Sequence, residues 1–307
     1  TQLKNSLNSS LSGFTIAQNG AVLHIKKNDG SDFSIDGNDT QGNTQLTVVK
    51  NSVQRFTDLP RVSPHGYVVE VKGDETTNFD NYYVKFVANN STVDGTLEEG
   101  QWEETVEAGK TFKFNYDTMP HVLIRQADGN FRFARVDGDT YTISGTDFTL
   151  PKWGERTVGD LESAPNPSFI GTNINNVFFF RNRLGFLADD NVILSNVSEF
   201  FNFFPDTVLT VVDSHPIDVA ASHTKVAILK HAVTMGEQLI LFSEQTQFVL
   251  SSSADNLTPT TANVLVATEF ESSDDAAPVG SGSSIYFLTK KGTFAGVENV
   301  LVSATGY

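Results

Sequence analysis

Residues 178 to 205 read FFFRNRLGFLADDNVILSNVSEFFNFFP, with phenylalanine at 178–180, 186, 200, 201, 203 and 204 and arginine at 181 and 183. A strand with one wet face alternates apolar and polar residues, whereas FFF and LGFLA are apolar at consecutive positions. Such a strand is buried on both faces, so it belongs in a sheet that packs between two others. FFFRNRLGFLA is expected to return through Asp189, Asp190 and Asn191 into VILS as one hairpin.

The pattern recurs further along. NNVFFFRNRLGFLADDNVILS (175–195), GEQLILFSEQTQFVLSS (236–252) and SSIYFLTKKGTFAGVE (283–298) each read as a hairpin. Phe186 and Phe242 stand six residues ahead of Val192 and Phe248, which sets a repeat offset of 56, and the third hairpin follows about 45 residues later. Up-and-down strands repeating at roughly 40 to 50 residues suit propeller blades, although three blades do not close a propeller.

Upstream the chain is also rich in strands. FTIAQ, AVLHIKK and SDFSI, separated by Asn19-Gly20 and Asn28-Asp29-Gly30, predict a three-stranded meander in which His24 lies on the polar face. Leu46, Val49, Val53 and Phe56 have helical spacing and predict a short helix after a turn at Asp36–Thr40. Strands are expected at 66–71, 81–87, 101–106, 121–126 and 130–136, and SAPNPS (163–168) reads as a linker. The expected class is therefore all-β, with few short helices. It divides into an N-terminal meander and helix (1–57), a β-rich domain (58–162) and a partial propeller of three blade-like hairpins (163–307).

The 307 residues carry a net charge of −16, which argues against nucleic-acid binding through neutralised phosphates. An acidic wall past which DNA slides is compatible with that charge. Cysteine is absent, so no disulfide or thiolate metal site exists. No apolar run approaches the roughly 20 residues of a membrane span. The start at Thr1 and the end at Gly306-Tyr307 are read as those of a fragment.

Catalytic patterns are weak. Glu98-Glu99 and Glu103-Glu104 flank Trp102, but adjacent strand residues point to opposite faces. Gly280-Ser281-Gly282-Ser283 lacks the nucleophile-elbow spacing, phosphate-loop motifs are missing, and His215, His223 and His231 are eight apart. An EF-hand at Asp36 would need Gly and Glu where Gln41 and Thr47 stand. No catalytic, cofactor or metal residues are expected. Arg181 and Arg183, at spacing two, are expected to share a strand face and to pair with Asp189, Asp190 or Glu199, or to meet another subunit. Ser198 is expected to cap a helical turn ended by Pro205, and Phe200, Phe201, Phe203 and Phe204 to plug between blades or meet a neighbouring subunit.

Eight collinear blocks, among them DLPRVSPHGYVVEVKGD (58–74), FDNYYVKFV (79–87), TMPHVLIRQADGNFRF (118–133), residues 177–205, PIDVAASHTKV (216–226) and TEFESSDDAAPVGSG (268–282), resemble the tail tubular protein B family, the nozzle proteins of short-tailed phages. The resemblance runs from about residue 14 to the end and implies a structural virion protein, made in the bacterial host cytoplasm and placed at the tail tip. It implies a hexameric ring of this chain below the tail tubular protein A adaptor, in contact with tail fibres, enclosing double-stranded DNA without reading its sequence. It also implies a propeller with added β-rich domains and a much longer chain. The competing expectation, from the repeat and Trp102, is a propeller that degrades or binds host-surface glycans.

Overall fold

A computed structural model describes residues 2–42, 45–73, 81–143, 145–224, 227–254 and 256–301. The blocks at 58–74, 79–87 and 216–226 therefore lie partly outside the described residues. The chain forms two compact units: residues 1–111, 157–164 and 207–209 make the first, and 112–156, 165–206 and 210–307 the second. The SAPNPS stretch contains the passage from Ala164 to Pro165, where the chain leaves one unit for the other.

In the first unit, helix α1 (Gln2–Ser10) buries no residue and precedes the hairpin β1 (Phe14–Asn19) and β2 (Val22–Lys27). Residues 31–35 do not form the expected third strand. Phe33 instead packs edge-on against Phe14 at 5.2 Å, and Lys50 holds the segment through Asp32 at 2.7 Å and the Phe33 carbonyl. His24 is half-buried rather than solvent-facing, and burial lowers its pKa.

The expected helix over 46–56 is likewise replaced. Residues 46–51 carry no helix, β3 (Ser52–Val53) pairs parallel with β5 (Val68–Val71), and only a single 3-10 turn follows at Phe56–Asp58. Thr47, Val48, Val49 and Val53 are stiff at χ1, which disfavours a helix, and Val53 joins a valine core with Val69, Val71 and Val84. Helical spacing lost to that tertiary contact. β4 (Val62–Pro64), β5, β6 (Tyr82–Ala88) and β7 (Leu97–Thr105) complete a five-stranded sheet in the order β3-β5-β6-β7-β4.

The second unit begins with two hairpins, β8 (Val122–Arg125) with β9 (Phe131–Ala134) and β10 (Thr140–Ile143) with β11 (Thr146–Thr149). Three further sheets follow. The first joins β12 (Ile174–Phe180), β13 (Arg183–Ala188), β14 (Asn191–Leu194) and β15 (Ile217–Ala220). The second joins β16 (His231–Met235), β17 (Gln238–Phe242), β18 (Gln247–Ser252) and β19 (Ala262–Thr268). The third joins β20 (Val279–Ser281), β21 (Ser284–Lys291) and β22 (Phe294–Leu301). All are antiparallel meanders, and the described chain is mainly β.

Successive residues of these strands serve different cores. On β13 and β14, Leu187, Val192 and Leu194 face Leu239, Leu241, Phe248 and Leu250 of the second sheet. Leu184, Phe186, Ala188 and Ile193 face the opposite way, into an aromatic layer. On β17 the next residues along, Ile240 and Phe242, turn to Ile285 and Phe287 of the third sheet. The sheets thus stack face to face, which is why consecutive apolar residues occur in FFF and LGFLA.

The stacking corrects the repeat. β13, β17 and β21 begin at 183, 238 and 284: the first step is 55 rather than 56, and the second, 46, agrees with the expected spacing of about 45. A one-residue slip exchanges the two faces of a strand. Phe186, Leu241 and Phe287 are the equivalents that face backwards along the stack, whereas Phe242 faces forwards with Leu187. The six-residue match misled because it slipped both strands together: Leu187↔Val192 and Phe242↔Gln247 are the equivalent pairs, so Phe242 and Phe248 each lie one residue past the true equivalents of Phe186 and Val192.

Candidate interface around the aromatic hairpin

FFFRNRLGFLA is not one strand. It turns at Arg181-Asn182, whose φ angles of 46° and 59° place both in the left-handed region, so that β12 pairs with β13 from Phe180↔Arg183 onward. Two such residues make the tight turn whose twist matches a hairpin; Asn tolerates it, and at Arg181 it costs roughly 1–2 kcal/mol. Glycine takes the equivalent place at 236 and 282. Opposite Phe178 stands Gly185, where an added Cβ would lie 2.3 Å from the Phe178 ring. That ring covers the bare backbone, and no larger residue fits.

The turn separates the two arginines, so they do not share a face. Arg181 is exposed at the turn and donates to the Glu237 carbonyl at 3.3 Å. Arg183 is 1% exposed and donates to four main-chain carbonyls: Ser195 at 2.6 Å, His215 at 2.6 Å and Ser214 at 3.2 Å from Nη1, and Asp213 at 2.7 Å from Nη2. The fork of a guanidinium suits several fixed acceptors at once. Burial pushes its pKa down to about 10, still far above neutrality, so the charge persists. The expected acid partners are not the ones used. Arg183 clamps the 213–215 loop to the end of β13 and β14.

SEFFNFFP forms a turn rather than a capped helix. Ser198 has φ 64° and its Oγ accepts from Asn182 at 2.5 Å, while the Asn202 side chain accepts from the Phe204 N–H at 3.1 Å and donates to Glu199 and Asp206. This geometry divides the four phenylalanines. Phe203 and Phe204 are buried in this chain, Phe203 stacked on Phe186 at 4.9 Å and Phe204 beside Phe112 and Phe114. Phe201 lies edge-on to Trp153 at 5.1 Å, and Phe200 meets the exposed Phe179 at 5.4 Å. Arg183, Phe203 and Phe204 thus sit inside the fold, and Arg181, Phe200 and Phe201 nearer its surface.

Several residues of this region escaped the sequence reading. Trp153 and Phe114 anchor the aromatic layer, and Arg156, 3% exposed, lies 5.4 Å over the Phe204 ring and donates to Asn166 at 2.5 Å. The hairpin β8–β9 places Leu123 opposite Phe133 and Arg125 opposite Phe131, and all four are exposed. The strict alternation in NFRFAR was the available signal. Beside it opens a groove of about 730 Å³ lined by Phe114, His121, Phe133, Phe169, Ile170 and Val177, with His121 stacked on Phe133 at 5.1 Å.

The catalytic alternatives find other uses in the structure. The Trp102 indole N–H donates to the Pro60 carbonyl at 2.8 Å and its ring packs on Phe86 and Tyr67, so it offers no open platform. Glu104 accepts from the Thr207 hydroxyl and the Val208 N–H, both at 2.6 Å. Asp39 accepts from the N–H groups of Gln41, Gln45 and Leu46, which spends its carboxylate on the turn. The three histidines do not converge: His223 faces Glu269 at 3.5 Å, His231 the Asp274 carbonyl at 3.2 Å, and His215 the Val212 N–H. Among the described residues, no group of three or more His, Asp or Glu is placed to hold a metal, and no helix is long and apolar enough to cross a membrane.

Comparison with known proteins adds two findings. The family model described as bacteriophage nozzle protein matches residues 1–306. The tail tubular protein gp12 of Escherichia phage T7 is 35% identical over 298 residues, which takes in 97% of this chain and 34% of that protein. The chain therefore spans about a third of the length of the curated relative it matches.

Proposed function

Because this chain belongs to the bacteriophage nozzle protein family, we propose that it is part of the wall of a short phage tail. In this reading the full-length protein forms a hexameric ring below the tail tubular protein A adaptor, continues the DNA channel, seats the tail fibres and opens for genome ejection. It acts mechanically, with no catalytic step. The observation that carries the reading is the family match over nearly the whole chain. Its physical support is the stack of sheets with apolar residues on both faces, an arrangement that resists shear because each middle strand is anchored in two cores. Radial closure of such sheets into a propeller belongs to the same proposal.

The charge of −16 fits a wall from which DNA must not adhere. The exposed apolar side chains Leu123, Phe131, Phe133 and Phe179, together with Arg181, Phe200 and Phe201, are the proposed contacts to neighbouring subunits. The test is assembly. Full-length protein mixed with purified adaptor is expected to form six-fold rings seen by electron microscopy, and the protein is expected in purified virions at the tail tip. A protein that stays monomeric with its adaptor and is missing from virions overturns the proposal.

A further inference from the structure

The loop after β19 holds one phenylalanine rigidly in solvent. TEFESSDD places Phe270 between Glu269 and Glu271, and all three are exposed. Among the described residues no other exposed aromatic side chain has an acid on each side. Gln247, itself 1% exposed, commits its amide to the main chain of Phe270: Oε1 accepts from the Phe270 N–H at 3.1 Å and Nε2 donates to the Phe270 carbonyl at 2.9 Å. The Thr268 hydroxyl donates to the same Oε1 at 2.8 Å. On the other side, the Ser272 N–H donates to the Glu244 carbonyl at 2.8 Å and its hydroxyl to the Ser243 carbonyl at 2.7 Å. The backbone is thus fixed on both sides of a ring that is 50% exposed. An aromatic side chain held in this way loses little entropy on docking, and such residues anchor protein contacts.

The same chain carries a complement in size and charge. The groove of about 730 Å³ beside β8 and β9 is apolar at Phe114, Phe133, Phe169, Ile170 and Val177. That size suits an aromatic side chain. Arg125 shares the exposed face of β8 with Leu123 and stands opposite Phe131. Arg135 is paired with Asp117 and Asp137, whereas Arg125 forms no ion pair among the described residues, in a chain with 37 acidic residues. Glu271 likewise has no cation among them.

We infer that Phe270 of one subunit docks in this groove of a second copy, with Glu271 facing Arg125. The knob and the groove are different surfaces of one chain, so the contact runs head to tail, and such contacts repeat around a ring where the rotation closes. The opposite charges set the orientation and speed the encounter, while the buried phenylalanine supplies the affinity. The inference rests on the ring proposed above and names a contact that builds it.

The test uses full-length protein carrying one introduced thiol per chain. Glu271→Cys mixed with Arg125→Cys is expected to be cross-linked into a dimer by a short bismaleimide, and neither variant alone to give that dimer. Phe270→Ala keeps the main-chain bonds to Gln247, so it is expected to fold and to raise the concentration needed for half-maximal ring assembly at least about tenfold. Wild-type rings without the mixed cross-link, or Phe270→Ala assembling at the wild-type concentration, overturn the inference while the nozzle reading stands. A Phe270→Ala protein that forms normal rings but no longer binds the adaptor overturns it as well, since the knob then belongs to the adaptor. Wild-type protein that forms no rings with its adaptor overturns both.

Discussion

Replacing Arg183 by Met removes the clamp on the 213–215 loop while keeping most of the volume of the side chain. Four carbonyls lose the guanidinium; that of Ser214 keeps the Val197 N–H, whereas those of Ser195 and His215 belong to residues 0% and 6% exposed, where water cannot replace it. An unsatisfied buried acceptor costs about 1–3 kcal/mol, whereas the desolvation that the guanidinium suffered is recovered. Together these place the loss at about 3–5 kcal/mol. With an unfolding slope of about 3 kcal/mol per molar urea, the midpoint falls by about 1 to 1.7 M. Arg183→Lys retains the charge but reaches fewer acceptors, so it is expected to fall between Met and wild type. Urea titration followed by tryptophan fluorescence measures this, because Trp153 lies in the neighbouring core. A Met variant within 1 kcal/mol of wild type refutes the clamp.

Gly185→Ala is expected to destabilise by about 1–3 kcal/mol through overpacking, with Phe178→Leu partly rescuing it; an unchanged melting temperature tells against the ring covering Gly185. Phe203→Ala and Phe204→Ala are each expected to cost about 3–5 kcal/mol and Phe200→Ala less than half of that, as read by denaturation. Lys152 and Lys113 hold the Glu155 carboxyl below its ordinary 4.5. The folded form therefore binds fewer protons than the unfolded one, and this contribution is full above about pH 4.5 and lost as the pH falls through the lower folded value. The Lys152→Met variant should flatten the acid limb of stability against pH, and an identical limb in both proteins defeats that assignment.

What was legible in the sequence was what period and turn chemistry encode. Consecutive apolar residues in LGFLA mean two buried faces, and Ala127-Asp128-Gly129 closes a hairpin whose Gly129 has φ 87°. The RNR tripeptide was misread because a turn built on Arg-Asn carries no glycine, and the same turn is plainer at Gly236-Glu237. That error moved both arginines onto one face and hid the clamp. The acceptors of Arg183 were beyond reach for a different reason: main-chain carbonyls have no side-chain identity, so nothing in residues 213–215 announces them. The aromatic layer was hidden similarly, being assembled from segments as distant as Phe114, Trp153, Phe169 and Phe203.

The choice of neutral acceptors has a consequence that an ion pair would not have. In a chain with 37 acidic and 21 basic residues, a carboxylate partner for Arg183 would be easy to supply, and the pair would answer to pH. Carbonyl dipoles do not titrate, and at 1% exposure the guanidinium lies beyond the reach of mobile ions. The surface pairs differ: Arg55–Asp58 at 3.1 Å and Arg135–Asp117 at 2.8 Å lie where solvent and mobile ions reach them, so they are weak and screened. The penalty of Arg183→Met should therefore be the same, within about 0.5 kcal/mol, at 50 mM and 500 mM NaCl (both roughly spanning the screening range), whereas that of Arg135→Met should shrink with salt. Urea titrations of both variants at the two salt concentrations measure it. If the Arg183 penalty shrinks with salt as the Arg135 penalty does, the guanidinium is held by charge rather than by carbonyls.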